Sequence, residues 1–285
     1  MWLARAGAQL SWQEIARHPR ARLLLGPFLT IYAHWPILYR TSVAEIRTAH
    51  AGSALGPVWL LLGPLLMLCV YAVTFAVIFQ FRPTDMTVVE YILYVFCGLI
   101  PFLTFSAALS AGSLSLVSNR HLLLNTVFPA ELIPLRSVIV ASVVMPAGLC
   151  ILFVGDAVFS TLSVTWLLVP VVALLEIMFL AGVCWLLSLL ALLFRDIQQL
   201  ITYIVMMLSV LTPIAYTPSM IPKSLALLIY LNPVSYFVIS FQSLILLNAL
   251  PPWKIIAVML IMSITSFVGG YWLSRNAKSA FFDFA

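Results

Sequence analysis

The stretch Leu55–Phe81, LGPVWLLLGPLLMLCVYAVTFAVIFQF, decides the class of fold, because no Asp, Glu, Lys or Arg falls between Arg47 and Arg82. About 20 apolar residues in a helix cross the roughly 30 Å of hydrocarbon in a bilayer, and this run exceeds that length. The rest of the chain reads the same way. It is 64% hydrophobic and 8% charged, whereas a soluble domain carries about 25% charged residues. So few charges cannot cover a water-facing surface, so most of the surface faces lipid. These features predict an all-α integral membrane protein.

Further apolar runs predict a second span over Tyr91–Leu114, a third over Leu135–Val154, a fourth over Trp166–Phe194 broken only by Glu176, a fifth over Leu200–Tyr216 and a last over Ile255–Ser274. Ahead of the first span, Leu23–Leu38 is apolar but short and contains Pro27 and Pro36. It reads as an interfacial segment. Tyr39–Ala51 mixes Arg40, Glu45, Arg47 and His50 with apolar residues and reads as an amphipathic helix lying on the membrane surface. Ser224–Trp253 is uncharged, yet Asn232-Pro233 cuts it and Pro251-Pro252 closes it. Proline removes a helix donor and clashes with the preceding turn. The pieces Ser224–Leu231 and Val234–Leu247 are each too short to cross, so they read as a re-entrant helical hairpin before the last helix. Broken backbone at membrane depth survives only against protein or a water-filled cavity, which makes this hairpin a candidate pore or gate lining.

With six spans, all of the 14 basic residues except Arg82, Lys223 and Lys254 fall on one side. The positive-inside rule makes that side cytoplasmic and puts both termini there. The bias also argues against nucleic acid as the partner of the +5 net charge, since the basic residues set topology between apolar runs. No cleavable leader is evident in the polar first 22 residues. One membrane domain is expected over 1–285, with a cytoplasmic tail and interface helix over 1–54 and a six-span bundle over 55–285. Cys69, Cys97, Cys150 and Cys184 lie singly in apolar runs and read as small hydrophobes.

No catalytic constellation, metal site or resident cofactor is expected. No Gly-Lys pair occurs, so no phosphate-cradling loop is present on this chain. The histidines, His18, His34, His50 and His121, are scattered on the cytoplasmic side, where interfacial anchoring is a better reading than metal ligation. Glu176 has two readings: part of a transport pathway, or a protonated or hydrogen-bonded residue between helices. A series of intramembrane carboxylates for ion coupling is absent, so energy must come from a partner. The short segment Ser118–Pro129 reads either as a helix docking a cytosolic partner or as a plain amphipathic connector.

Several motifs in collinear order resemble the ABC-2-type polysaccharide exporter permeases. They are Glu45-Ile46-Arg47 followed by Gly52-Ser53-Ala54-Leu55-Gly56-Pro57-Val58-Trp59 and Pro64; Gly98-Leu99-Ile100-Pro101-Phe102; Asn119 to Pro134; and Arg195-Asp196-Ile197. Thr212-Pro213-Ile214-Ala215-Tyr216, Met220-Ile221-Pro222, Leu231-Asn232-Pro233 and the tail Phe281–Phe284 complete the set. Ala49-His50 stands where the family often has Arg-Tyr, and the N-terminal tail is longer than is usual.

The resemblance implies a permease dimer bound to two separate ATP-binding cassette chains, which hold ATP and Mg. It also implies export of lipid-linked O-antigen, capsule or teichoic-acid polymers across the bacterial cytoplasmic membrane. Contact with the ATPase falls on Glu45, Asn119, Arg120, Leu123, Phe128, Pro129, Arg195 and Asp196. An extracytoplasmic gate falls on Pro222, Asn232 and Pro233. Arg40 and Arg47 are candidates for a lipid pyrophosphate, since guanidinium binds phosphate bidentately, with headgroup anchoring as the other reading. Phe75, Phe79, Phe102, Phe105, Tyr203, Tyr216, Tyr236 and Phe241 are the aromatic candidates for lining a glycan channel. An ABC-2 exporter of a small lipid or drug would share the fold, and an ion-coupled secondary transporter is a further alternative.

Overall fold

The computed structural model describes residues 19–49, 52–78, 86–119, 129–159, 162–217, 220, 222 and 226–277, with residues 19–24 and 226 described in their backbone only. Arg120, Leu123, Phe128 and Phe79 lie outside the described residues, as does the tail Phe281–Phe284.

The described chain is helical, and its helices are α1 (Pro19–Ala49), α2 (Trp59–Tyr71), α3 (Val88–Ser113), α4 (Ser115–Ser118), α5 (Leu132–Ala141), α6 (Val144–Phe159), α7 (Val169–Leu193), α8 (Ile197–Leu211), α9 (Ala226–Leu231), α10 (Pro233–Ile245) and α11 (Trp253–Asn276). Short 3-10 turns precede α2 and α7, and a π-helical stretch, Ala72–Ile78, continues α2. Five stretches among the described residues are long and apolar enough to cross a membrane: Gly56–Ile78, Val88–Ser113, Leu132–Phe159, Val164–Leu193 and Trp253–Asn276.

One expectation is corrected here, and the bounds of another move. The interfacial segment and the surface helix are one continuous helix, α1, which contains both Pro27 and Pro36. Burial overrides the two prolines. Gly26 lies against the Tyr271 ring, the Thr30 and Tyr271 hydroxyls meet at 2.5 Å, and Leu38 sits buried with Leu132, Leu135 and Trp185. The expected fifth span over Leu200–Tyr216 is a 15-residue helix, α8, that ends at Leu211. Thr212 is extended, as the residue before Pro213 should be. At about 1.5 Å per residue α8 reaches only about 22 Å, so by length it falls below the five long helices.

The third span is two helices with a turn at Ser142–Val143. Pro146 has no N–H to give the Ser142 carbonyl, and Met145 N–H takes it at 3.0 Å. The apolar stretch runs to Phe159, beyond the expected Val154, and so carries Asp156 into a helix. In the turns before α2, Gly52 (φ 81°) and Gly56 (φ 48°) adopt the left-handed backbone that side-chain-bearing residues avoid.

The bundle is built around α3 and α7. Most of α3 is buried, whereas Gly56–Ile78 is almost entirely uncovered, so the first span is peripheral and α3 central. A capping box starts α3, with Thr87 Oγ1 accepting from Glu90 N–H and Glu90 Oε2 from Thr87 N–H at 2.7 Å. The most extensive helix contact joins α7 to α11. There the backbone at Gly182 lies directly against Ser266 and Gly270, leaving no room for a Cβ, and Ser266 Oγ donates to the Phe179 carbonyl at 3.0 Å. Small residues spaced by four let membrane helices approach this closely.

Candidate transport groove and coupling layer

Between the first apolar stretch and the end of α8 lies a cavity of about 510 Å3. Tyr71 and Phe75 form one wall, their rings 5.7 Å apart, and Ser209, Val210, Thr212, Ile214, Ala215 and Tyr216 form the other. The second wall contains the irregular backbone after α8, whose polar groups need partners away from water. Side chains from two helices supply them, and a third side chain braces the hydroxyl at the start of the segment. The Tyr91 hydroxyl donates to the Ala215 carbonyl at 2.7 Å. Gln242 Nε2 donates to the carbonyls of Pro213 (3.0 Å) and Ile214 (3.3 Å). Asn232 Nδ2 donates to Thr212 Oγ1 at 2.8 Å.

Asn232 also caps α10, its Oδ1 accepting from Val234 N–H at 2.9 Å, with Pro233 at the first helical position. The break expected at Asn232-Pro233 is present, between α9 and α10. Pro222 is exposed. Sequence reasoning missed Tyr91 and Gln242. The usable signal was a glutamine inside an uncharged apolar helix, which must find a partner when buried.

The aromatic candidates separate by position. Phe75 and Tyr216 line the groove, and Tyr203 is strongly exposed on α8. Phe102, Phe105 and Phe241 are buried among the helices, Phe105 stacked on Phe179 at 6.4 Å. Tyr236 lines a second cavity of about 420 Å3 with Tyr230, Pro252, Lys254, Ile255 and Val258.

At the other end of the bundle, Glu45 on α1 pairs with Arg136 on α5, Oε2 to Nε at 2.7 Å. Arg136 Nη2 donates to Asn119 Oδ1 at 2.9 Å, and Asn119 Nδ2 donates to the Ser115 carbonyl at 2.8 Å. Two of the expected coupling residues, Glu45 and Asn119, thus meet through Arg136, which the sequence showed only as one more topology-setting cation. Pro129 accepts from Leu132 N–H at 3.0 Å, and the Glu131 carbonyl accepts from Trp185 Nε1 at 2.7 Å. Arg195 and Asp196 are exposed in the turn between α7 and α8. Arg40 and Arg47 are exposed two helical turns apart on α1.

Glu176 is fully buried in α7, and neither carboxylate oxygen has a hydrogen-bond partner among the described residues. Asp156 is also buried, with Oδ2 accepting from Trp166 Nε1 at 2.8 Å. Among the described residues no three His, Cys, Asp or Glu side chains gather as a metal site.

The ABC-2 type transporter family model matches residues 41–246. Two proteins of Klebsiella pneumoniae, each named O-antigen export system permease protein RfbA, are 25% and 26% identical over 242 and 239 residues, covering 83% of this chain and 90% of theirs. A Myxococcus xanthus protein of the same name is 26% identical over 225 residues, 78% of this chain and 84% of its own.

Proposed function

This chain belongs to the ABC-2 type transporter family and is therefore a multi-pass membrane subunit that works with an ATP-binding subunit; from that premise we propose that it exports a lipid-linked polysaccharide of the O-antigen class across the bacterial cytoplasmic membrane. ATP and Mg are held by the partner chains, two per pair of permeases. The observation that carries the polysaccharide reading is the groove of Tyr71, Phe75 and Tyr216 beside Ser209 and Thr212. Flat aromatic faces suit sugar rings, and hydroxyls suit their polar edges. The names of the relatives point the same way.

In this reading the chain crosses six times with both termini cytoplasmic, α8 making the fifth crossing. The pair α9 and α10 is re-entrant and forms the extracytoplasmic gate with Pro222, Asn232 and Pro233. Two copies meet about a two-fold axis and close the groove into a channel. Arg40 and Arg47 receive the lipid pyrophosphate. Glu45, Asn119, Arg120, Leu123, Phe128, Pro129, Arg195 and Asp196 form the layer that follows the ATPase.

The test is reconstitution of the chain with its ATP-binding subunit in vesicles. Lipid-linked glycan should stimulate ATP hydrolysis and appear on the far side of the membrane. Hydrolysis that ignores the glycan and responds instead to small amphiphiles overturns the polysaccharide reading.

A further inference from the structure

We propose that Arg136 is a positioning residue that ties the interface helix α1 to Asn119 at the end of α4, so that α1 and α4 move as one body when the ATP-binding subunits close. This rests on the exporter reading above for what drives the motion.

The guanidinium offers two edges at a fixed angle. Its Nε edge holds Glu45, one turn from the C-terminal end of α1, at 2.7 Å. Its Nη2 holds Asn119, which follows α4, at 2.9 Å. Asn119 is itself fixed to the Ser115 carbonyl. Past residues 120–128, the Glu131 carbonyl is held by Trp185 of α7. Arg136 stands on α5, which begins at Leu132, so its contact with Asn119 ties the near flank of that segment to the helix that follows it and, through Glu45, to α1. A shift of about an ångström in Asn119 alone would break its charge-assisted hydrogen bond, which holds its length within a few tenths of an ångström, and a like shift in Glu45 would weaken the ion pair.

Attachment of α1 does not require this ion pair. Leu38 already holds α1 to α5 and α7 through Leu132, Leu135 and Trp185. An apolar contact does that work at least as well as an ion pair whose charges must leave water. What the pair adds is direction. Arg136 is nearly sealed, with its side chain 11% exposed, and although the Glu45 side chain is 37% exposed, the paired atoms Glu45 Oε2 and Arg136 Nε are both buried, so the ion pair is screened from water.

The test uses the assembled complex of permease and ATP-binding subunits, with the exposed Cys69 and Cys150 replaced by Ser and the buried Cys97 and Cys184 left in place. Spin labels go at the exposed Thr48 and Val117, and distances are measured by pulsed electron resonance without nucleotide and with trapped nucleotide. In the unaltered latch the distance should be narrow and the same in both states. Glu45→Gln, which removes the charge of one link, and Asn119→Ala, which removes the other link, should both broaden it and make it depend on nucleotide. Distances as narrow in either variant as in the parent overturn the proposal.

A second readout is the ratio of glycan-stimulated to basal ATP hydrolysis, which should fall about 2- to 30-fold in each variant, the range of coupling changes from residues that touch neither ligand. Glu45→Gln combined with Asn119→Ala should be no worse than either alone, since one broken link already opens the chain. Additive losses overturn the latch. If the parent complex does not answer to glycan at all, the exporter reading fails, and the label distances still decide the latch.

Discussion

Two side chains hold the broken backbone after α8, and a third braces the Thr212 hydroxyl at its start. Tyr91 reaches across from α3, Gln242 from α10, and Asn232 from the junction of α9 and α10. Gln242 serves two carbonyls at once, so its loss strands two acceptors. An unsatisfied buried group costs about 1–3 kcal/mol, although hydrogen bonds between membrane helices average only about 0.6 kcal/mol when alternative partners exist. The cramped site around Gly98, where a Cβ would lie 2.8 Å from Gln242 Nε2, leaves little room for a replacement donor. Gln242→Leu is therefore expected to lower the thermal unfolding midpoint of the purified chain in detergent, while Gln198→Leu, on the exposed side of α8, should not; equal midpoints for the two would refute the assignment. The aromatic candidates make a second pair. Phe241→Ala should destabilise by about 3–5 kcal/mol, as large-to-small changes in packed cores do. Phe75→Ala should leave the midpoint nearly unchanged and depress glycan export. If the two variants fail in the same way, the groove is only a packing defect. In the sequence Phe75 and Phe241 look alike, each an aromatic in an apolar run. Only the packing of α10 against α3 and α7 separates them. Arg136 was hidden for a related reason: near a span end, a cation that sets topology and one that bridges two elements leave the same trace.

At the scale of elements, apolar run length located the long helices, and prolines located the break between α9 and α10. Both signals are local, and local signals survive folding. The continuity of α1 was not legible, because Pro27 and Pro36 are local stop signals that the contacts of Gly26, Thr30 and Leu38 outweigh. The end of α8 was obscured for the opposite reason. Ile214, Ala215 and Tyr216 extend the apolar run past Thr212-Pro213, where the helix has already stopped. Nor did run length expose the contact of α7 with α11, which depends on what is missing at Gly182 and Gly270. Gly182→Leu would drive a side chain into the Ser266 backbone, and backbone cannot swing aside as a side chain can. Overpacking of this kind costs about 1–3 kcal/mol or more. The expected outcome is loss of a monodisperse peak in size-exclusion chromatography, whereas Gly63→Leu, where nothing lies within 4 Å of the added Cβ, should elute normally. Normal elution of Gly182→Leu would mean that α7 and α11 stand further apart than described.

For the whole molecule the asymmetry of burial matters most. The bundle wraps α3 closely, yet Gly56–Ile78 is almost bare, and α8 turns Tyr203, Met206, Met207 and Val210 outward. These two lightly covered elements border the same groove, so the groove is open on the side where the protein is least complete. Lipid covers exposed apolar helices at no penalty, and exposure alone does not call for a second copy. A continuous aqueous path for a glycan does, because lipid cannot form one wall of it. The proposed two-fold pairing therefore predicts where copies meet. Cysteines placed at Val73 and Val77 should crosslink to their own counterparts in native membranes with a short bifunctional reagent. A cysteine at Ile261, equally exposed on α11, should not, since α11 makes no extensive contact with α2 or α8. Addition of lipid-linked glycan during turnover should slow the Val73 crosslink if the polymer passes between the two copies. Efficient crosslinking at Ile261 with none at Val73 and Val77 would place the axis on the other side of the bundle, and the groove beside Phe75 would then face lipid.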